Sequence, residues 1–236
     1  VGGKTNTIGS RYSFIGNGRL NTANGAYSVV AGGQQNIASG LHSSVPGGRF
    51  CRATNTYSIA GGGYANTASG SFSGVIGGRY NINSGIRSFI AGGNDNFVNS
   101  QDSTIIGGSN NTVSILRSAI LGGINNKIAG SFYNAAIVGG KNNRATTVNA
   151  GVFCGEFNTA SGYNSVVIGG SNNSATNNRS IVIGGSNNLA SMANSVAIGG
   201  SNNTASHANA VVIGGDNIGT KATNEVTVDA LNHYNG

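Results

Sequence analysis

A pair of adjacent glycines returns every 15 residues along most of this chain, a period too short and too regular for an ordinary globular fold. Taking the first residue of the pair as position zero, it falls at Gly2, Asn17, Gly32, Gly47, Gly62, Gly77, Gly92, Gly107 and Gly122, then at Gly139, Cys154, Gly169, Gly184, Gly199 and Gly214. The one irregular step, from Gly122 to Gly139, is 17 residues, and its two extra residues fall around Ser131-Phe-Tyr133, where a surface turn can absorb them. Coils this short bury nothing alone and are covered only by their neighbours. Glycine and asparagine, 41 and 36 of 236 residues, replace the large apolar side chains of a conventional core, and only 8% of residues are charged. The sequence therefore predicts an all-β chain, a parallel β-solenoid of about fifteen 15-residue coils over residues 1–217, stacked about 4.8 Å apart into a rod on the order of 70 Å long.

Each coil position can be read physically. Four residues before zero is serine in 11 of 14 coils, and two before is Val or Ile in twelve and Ala in Ala60 and Ala197. Alternation on a short strand puts these side chains and the glycine on one face, pointing into the coil. Four residues after zero is asparagine in 13 of 15 coils, including Asn21, Asn36, Asn66, Asn81, Asn96, Asn111, Asn126, Asn143, Asn158, Asn173, Asn188 and Asn203. In register, such amides can bond to the coils above and below as a buried ladder. The glycine pair permits positive φ and close approach at the corner, and Gly25, Gly40, Gly70 and Gly85 recur eight residues after zero for the same reason.

The opposite strand face, three and one residues before zero, carries no charged side chain in any coil. In the C-terminal half it reads Val166 and Ile168, Ile181 and Ile183, Val196 and Ile198, Val211 and Ile213. Such a row exceeds the apolar surface a monomer ordinarily leaves wet, so self-association of identical rows is expected to cover it. After Asp216 the pattern lapses, and residues 218–236, with Asn224-Glu-Val-Thr-Val-Asp-Ala230, read as a cap or neck.

Ser195-Val-Ala-Ile-Gly199 followed by Asn-x-Ala, with Gly62-Gly-Tyr-Ala-Asn-Thr-Ala-Ser-Gly70, resembles the YadA-like head repeat of trimeric autotransporter adhesins and related fibre proteins of phages and large viruses. The resemblance implies a left-handed β-roll, three chains side by side, and an extracellular role on a bacterial surface or virion. The repeat here is slightly longer, doubles the glycine, and has Val or Ile where the bacterial motif has Ala.

Chemistry is sparse. His42, His207 and His233 are far apart in sequence, Asp95 and Asp102 read as solvated turn charges of one coil, and the recurrent aspartate of calcium-binding nonapeptide repeats is missing. No enzyme activity, cofactor or metal is expected. Cys51 replaces a ladder asparagine and Cys154 a corner glycine, and both read as interior, unpaired thiols. No stretch approaches the ~20 apolar residues that cross a bilayer, so membrane insertion by this segment is not expected.

Two surface rows are candidate binding groups. Five residues before zero stand Tyr12, Tyr27, His42, Tyr57 and Phe72, followed by Arg87, Asp102 and Arg117. Two residues after zero, Lys4, Arg19, Arg49, Arg79 and Lys141 recur, of which Arg19, Arg49 and Arg79 are the candidate binding groups, and 11 of the 13 basic residues precede residue 145. Aromatic rings with guanidinium groups suit sugar rings, acidic glycans or other polyanions. A net charge of +7 and a pI near 9.7 permit nucleic acid, but no recognition motif supports it. The expected function is a non-enzymatic attachment-fibre head or shaft that adheres to a host receptor or glycan by multivalent contacts; the alternative is a structural spacer carrying a separate receptor-binding tip.

Overall fold

The computed structural model describes residues 2–130 and 133–229, in two compact units, Val1–Asn125 and Asn126–Gly236. Ser131 and Phe132 of the insertion, Ala230 of the expected cap or neck and His233 lie outside the described residues.

In the first unit each coil contributes two short strands to two parallel sheets. One sheet runs from Thr7–Ile8 through Thr22–Ala23 and Ile37–Ala38 to Thr112–Val113, and the other from Phe14–Ile15 through Val29–Val30 to Ala119–Ile120. Every partner is 15 residues away, as in Thr22↔Ile37 and Phe14↔Val29. An isolated bridge two residues after zero adds a third ladder, Arg19↔Gln34 and Gln34↔Arg49 among its rungs. The second unit repeats the scheme from Lys127–Ile128 to Thr204–Ala205 and from Ala136–Ile137 to Val226–Val228. Its first rung pairs Lys127 with Arg144, a 17-residue step, so the insertion leaves the ladder in register. The parallel β-solenoid expected from the period is the observed fold.

The interior is thin. Val and Ile of one sheet, such as Val30, Ile90 and Ile105, lie buried with the alanines of the other, such as Ala23, Ala38 and Ala68. Ser28, Ser58 and Ser180 are fully buried on the same inward face, as alternation requires. The terminal strand Val226–Val228 is one more parallel rung on Val211–Ile213. Glu225 takes the inward serine's place in that coil, and its carboxylate accepts the backbone N–H groups of Lys221 and Ala222.

The asparagines are buried, but their bonding differs from an amide-to-amide ladder. Asn21 Oδ1 accepts the backbone N–H of Asn36 at 3.0 Å, while its Nδ2 donates to the carbonyls of Asn17 at 3.1 Å and Gly33 at 3.0 Å. The same triad recurs at Asn81, Asn96, Asn158 and Asn188. Direct amide-to-amide donation is seen from Asn81 to Asn66 at 3.2 Å and from Asn111 to Asn96 at 3.1 Å. The corner leaves main-chain groups that no strand partner reaches, and these outcompete a second amide.

The glycines divide by role, which corrects the single reason expected for them. At Gly77 φ is not positive and an added Cβ would meet nothing within 4 Å, whereas Gly78 has φ +86° and a Cβ would lie 2.1 Å from the Gly93 carbonyl oxygen. Gly70 is not left-handed; a Cβ there would stand 2.0 Å from the Gly85 oxygen, so close approach of the next coil demands glycine.

Two variants separate these roles. Gly77→Ala is expected to change stability by less than about 0.5 kcal/mol. Gly78→Ala combines a clash with left-handed strain and should cost about 3 kcal/mol or more, read as loss of amide hydrogen-exchange protection in the flanking coils.

Candidate functional site

The aromatic row lies in the turn that follows each strand of the Thr7–Thr112 sheet, in the first unit. Ring centroids run 4.9 Å from Tyr12 to Tyr27, 4.8 Å from Tyr27 to His42, 4.8 Å from His42 to Tyr57 and 5.1 Å from Tyr57 to Phe72, with planes within 16° of parallel. Coil spacing and stacking distance coincide, so the solenoid itself sets the stack. Tyr12 is 73% exposed, and Tyr27, Tyr57 and Phe72 are about half exposed. An open depression is lined by Ile8, Gly9, Ser10, Arg11 and Ala26, of which Arg11 and Ala26 immediately precede Tyr12 and Tyr27.

Rings this close leave no room for a sugar between them. The faces of Tyr27, His42 and Tyr57 are covered by their neighbours, and what the row presents outward is edges, tyrosine hydroxyls and an imidazole. Sugar stacking on each ring face, the contact its composition suggests, is therefore closed within the row; hydrogen bonding along its edge is open.

Every residue of the row sits in the left-handed region, with φ of 58° at Tyr12, 57° at Tyr27, 55° at His42, 54° at Tyr57 and 58° at Phe72. The equivalent turns of the second unit mostly hold asparagine, as at Asn149, Asn164, Asn194 and Asn209, also left-handed. Asparagine enters this region readily, whereas a bulky residue gives up about 1–2 kcal/mol there. A stacked pair returns about 0.5–1.5 kcal/mol. The two nearly cancel, so fold stability alone does not account for aromatic residues at these turns.

The row continues into an ion pair. Arg87 Nε and Nη2 meet Asp102 Oδ1 at 2.8 Å and Oδ2 at 3.1 Å, one rung apart. Hydrogen bonding from Arg87, helped by Gln101, holds the Asp102 carboxyl at about 2. Asp95 occupies the other turn, beyond the strand Phe97–Val98, which corrects its placement on one turn with Asp102.

The basic row Arg19, Arg49 and Arg79 lies in that other turn, and the structure joins it to aromatics the sequence pattern did not single out. Arg49 Cζ stands 4.8 Å over the Phe50 ring and 5.9 Å from the Tyr64 centroid, and Arg79 stands 5.5 Å over Tyr80. Phe50, Tyr64 and Tyr80 pack edge to face at 5.6 and 5.3 Å. The three rings alternate between two adjacent coil positions, so reading one column at a time does not reveal them.

The outer row of the second unit is apolar and partly open. Ile168 is 44% exposed, Ile183 and Ile213 are similar, and Val166, Ile181, Val196, Ile198 and Val211 are half-buried. They align rung by rung as Val166↔Ile181↔Val196↔Val211 and Ile168↔Ile183↔Ile198↔Ile213, continued by Val226 and Val228.

Of the two free cysteines, Cys51 is buried, its S–H reaching the Gly62 carbonyl at 3.3 Å, and burial pushes its pKa up. Cys154 is exposed, contrary to the expected interior position, because its left-handed corner, φ 62°, aims a side chain into open space as at Gly169. Among the described residues no group of three or more His, Cys, Asp or Glu is placed to hold a metal ion, and no helix is long and apolar enough to cross a membrane. No protein-family model matches the chain, and no curated protein matches it.

The ion pair gives a pH test. Because Asp102 is held below its ordinary 3.8, its contribution is complete above that value and fades as pH falls toward 2. In Arg87→Gln the carboxyl titration, followed by NMR, should move up toward 3.8, with the remaining carboxylates unshifted.

Proposed function

We propose that this chain is a non-enzymatic segment of an extracellular attachment fibre, related to the YadA-like heads and the phage and large-virus fibres its repeat resembles. It assembles as a homotrimer and adheres to a host-surface receptor or glycan through repeated weak contacts. The observation that carries the reading is the stacked row Tyr12, Tyr27, His42, Tyr57 and Phe72, exposed on consecutive coils in a backbone conformation that asparagine would fill at lower cost. The contacts are hydrogen bonds along the row's edge, one set per coil.

The trimer rests on the uncharged outer row of the second unit. Parallel, in-register Ile and Val across successive rungs form a continuous apolar strip, which a symmetric copy of itself can cover. A spacer role is the second reading, favoured by the uniformity of the interior asparagine bonding, which serves stiffness without reference to any ligand.

Tyr27→Asn with Tyr57→Asn should leave circular dichroism and oligomeric state unchanged, with stability within about 1 kcal/mol per site. Adhesion to host cells or glycan arrays should fall severalfold. Undiminished adhesion would remove the row from the mechanism. Ile183→Asp with Ile198→Asp should shift sedimentation from trimer toward monomer; a wild-type chain that sediments as a folded monomer would overturn the assembly.

A further inference from the structure

We infer that the arginine row of the first unit, not the stacked aromatic row, is the site for an acidic ligand, and that this ligand is a linear polysaccharide with a uronate at every second sugar. This rests on the adhesive reading above and adds to its aromatic row a second site, on the other turn, with a ligand class of its own.

The ladder of bridges two residues after zero runs Lys4, Arg19, Gln34, Arg49, Tyr64, Arg79, Asn94, so a lysine adds one charge on the rung next to Arg19. From Arg19 to Arg79 a guanidinium stands on alternate rungs, roughly 10 Å apart, with the uncharged hydrogen-bonding side chains of Gln34 and Tyr64 between. Two linked pyranose rings span a comparable length, so a uronate on every second sugar meets an arginine each time.

Two of the three guanidinium groups are held in place for such contact. Arg49 Cζ stands over the Phe50 ring, and Arg79 Cζ over Tyr80 while its Nε donates to Asn94 Oδ1 at 2.9 Å. Contact with a ring restrains the guanidinium while it stays exposed, and its N–H fork can meet a carboxylate with two hydrogen bonds, which lysine cannot offer. All three arginines are exposed, and neither ion pair among the described residues involves them. In the first unit the only carboxylates are Asp95 and Asp102; Asp102 is engaged by Arg87, and Asp95 accepts from Asn94.

Nucleic acid fits this surface poorly. Phosphates recur at about 3.4 Å along a duplex strand, far denser than the arginines. Single strands need open aromatic faces on which bases stack. Here Phe50, Tyr64 and Tyr80 turn edges and faces toward one another beneath the arginines.

The test uses the whole chain with hyaluronan, chondroitin sulfate, neutral dextran and a thymidine oligonucleotide, by calorimetry at two salt concentrations. Wild type is expected to bind both uronate polymers and not dextran. Arg19→Gln, Arg49→Gln and Arg79→Gln together should weaken that binding by about tenfold or more and flatten its salt dependence. Lys127→Gln, Arg144→Gln and Arg179→Gln, which remove the same charge from the second unit, should change it by less than about twofold. Equal loss in both triple variants, no binding to either uronate polymer, or tighter binding of the oligonucleotide would each overturn the inference. Cell adhesion separates it from the broader reading: adhesion that persists after enzymatic removal of surface uronate polymers overturns this ligand and keeps the adhesin. Wild type that binds hyaluronan yet adheres to no cell upholds the site and overturns the adhesin.

Discussion

One side chain, present in 13 of 15 coils, holds this architecture together. The buried asparagine amide bonds a carbonyl of its own corner, a carbonyl of the next coil and the next coil's backbone N–H, all around 3 Å. A two-residue strand cannot satisfy a corner's main-chain groups, and a buried group left unpaired costs about 1–3 kcal/mol. Three groups per coil are at stake, more than any Val or Ile in so narrow an interior could offset. The amide must also sit at one depth and one register to reach all three. That is a stronger reason for a strict period than hydrophobic burial, which tolerates shifts. The 17-residue step illustrates it: Asn143 N–H still finds Asn126 Oδ1 at 3.0 Å, so the extra length is taken up elsewhere in the coil.

Most of the fold was legible because it repeats. Inward and outward positions of the strand before the glycine pair, and the burial of the asparagines, follow from where Val, Ser, Asn and Gly recur. The columns hide what depends on main-chain conformation. That the Tyr12–Phe72 row is left-handed cannot be read from tyrosine, a residue that gives no such signal; only the asparagines at the equivalent turns of the second unit hint at it. Cys154 misleads similarly, because the column says glycine while the φ at that corner decides which way a side chain points. Gly70 and Gly78 look alike in sequence and are required for different reasons, one by a neighbour's carbonyl and the other by its own φ.

The candidate sites were legible as rows and illegible as contacts. The tyrosine column was visible, but its coil spacing equals a stacking distance, so the rings bind each other and lose the faces that composition seemed to offer. The arginine column was visible too, but its partners alternate between two columns. Phe50 and Tyr80 stand three residues after zero and Tyr64 two, and the Arg49–Phe50–Tyr64 grouping exists only when adjacent coils are laid side by side. Contacts that cross columns need the third dimension.

Because outward positions bear little on the amide bonding within, each surface row can change along the chain without disturbing the coil that carries it. At one turn the first unit passes from five aromatic rings to Arg87, Asp102 and Arg117, while its backbone keeps the same left-handed φ. The ion pair at Arg87 and Asp102 bridges adjacent rungs as the rings do, substituting charge for stacking at the same spacing. A scaffold that fixes spacing and leaves chemistry free favours ligands that themselves repeat. Where arginines occupy alternate rungs, a polymer with two-sugar charge spacing gains from every rung pair at once, whereas a compact ligand would engage a single one.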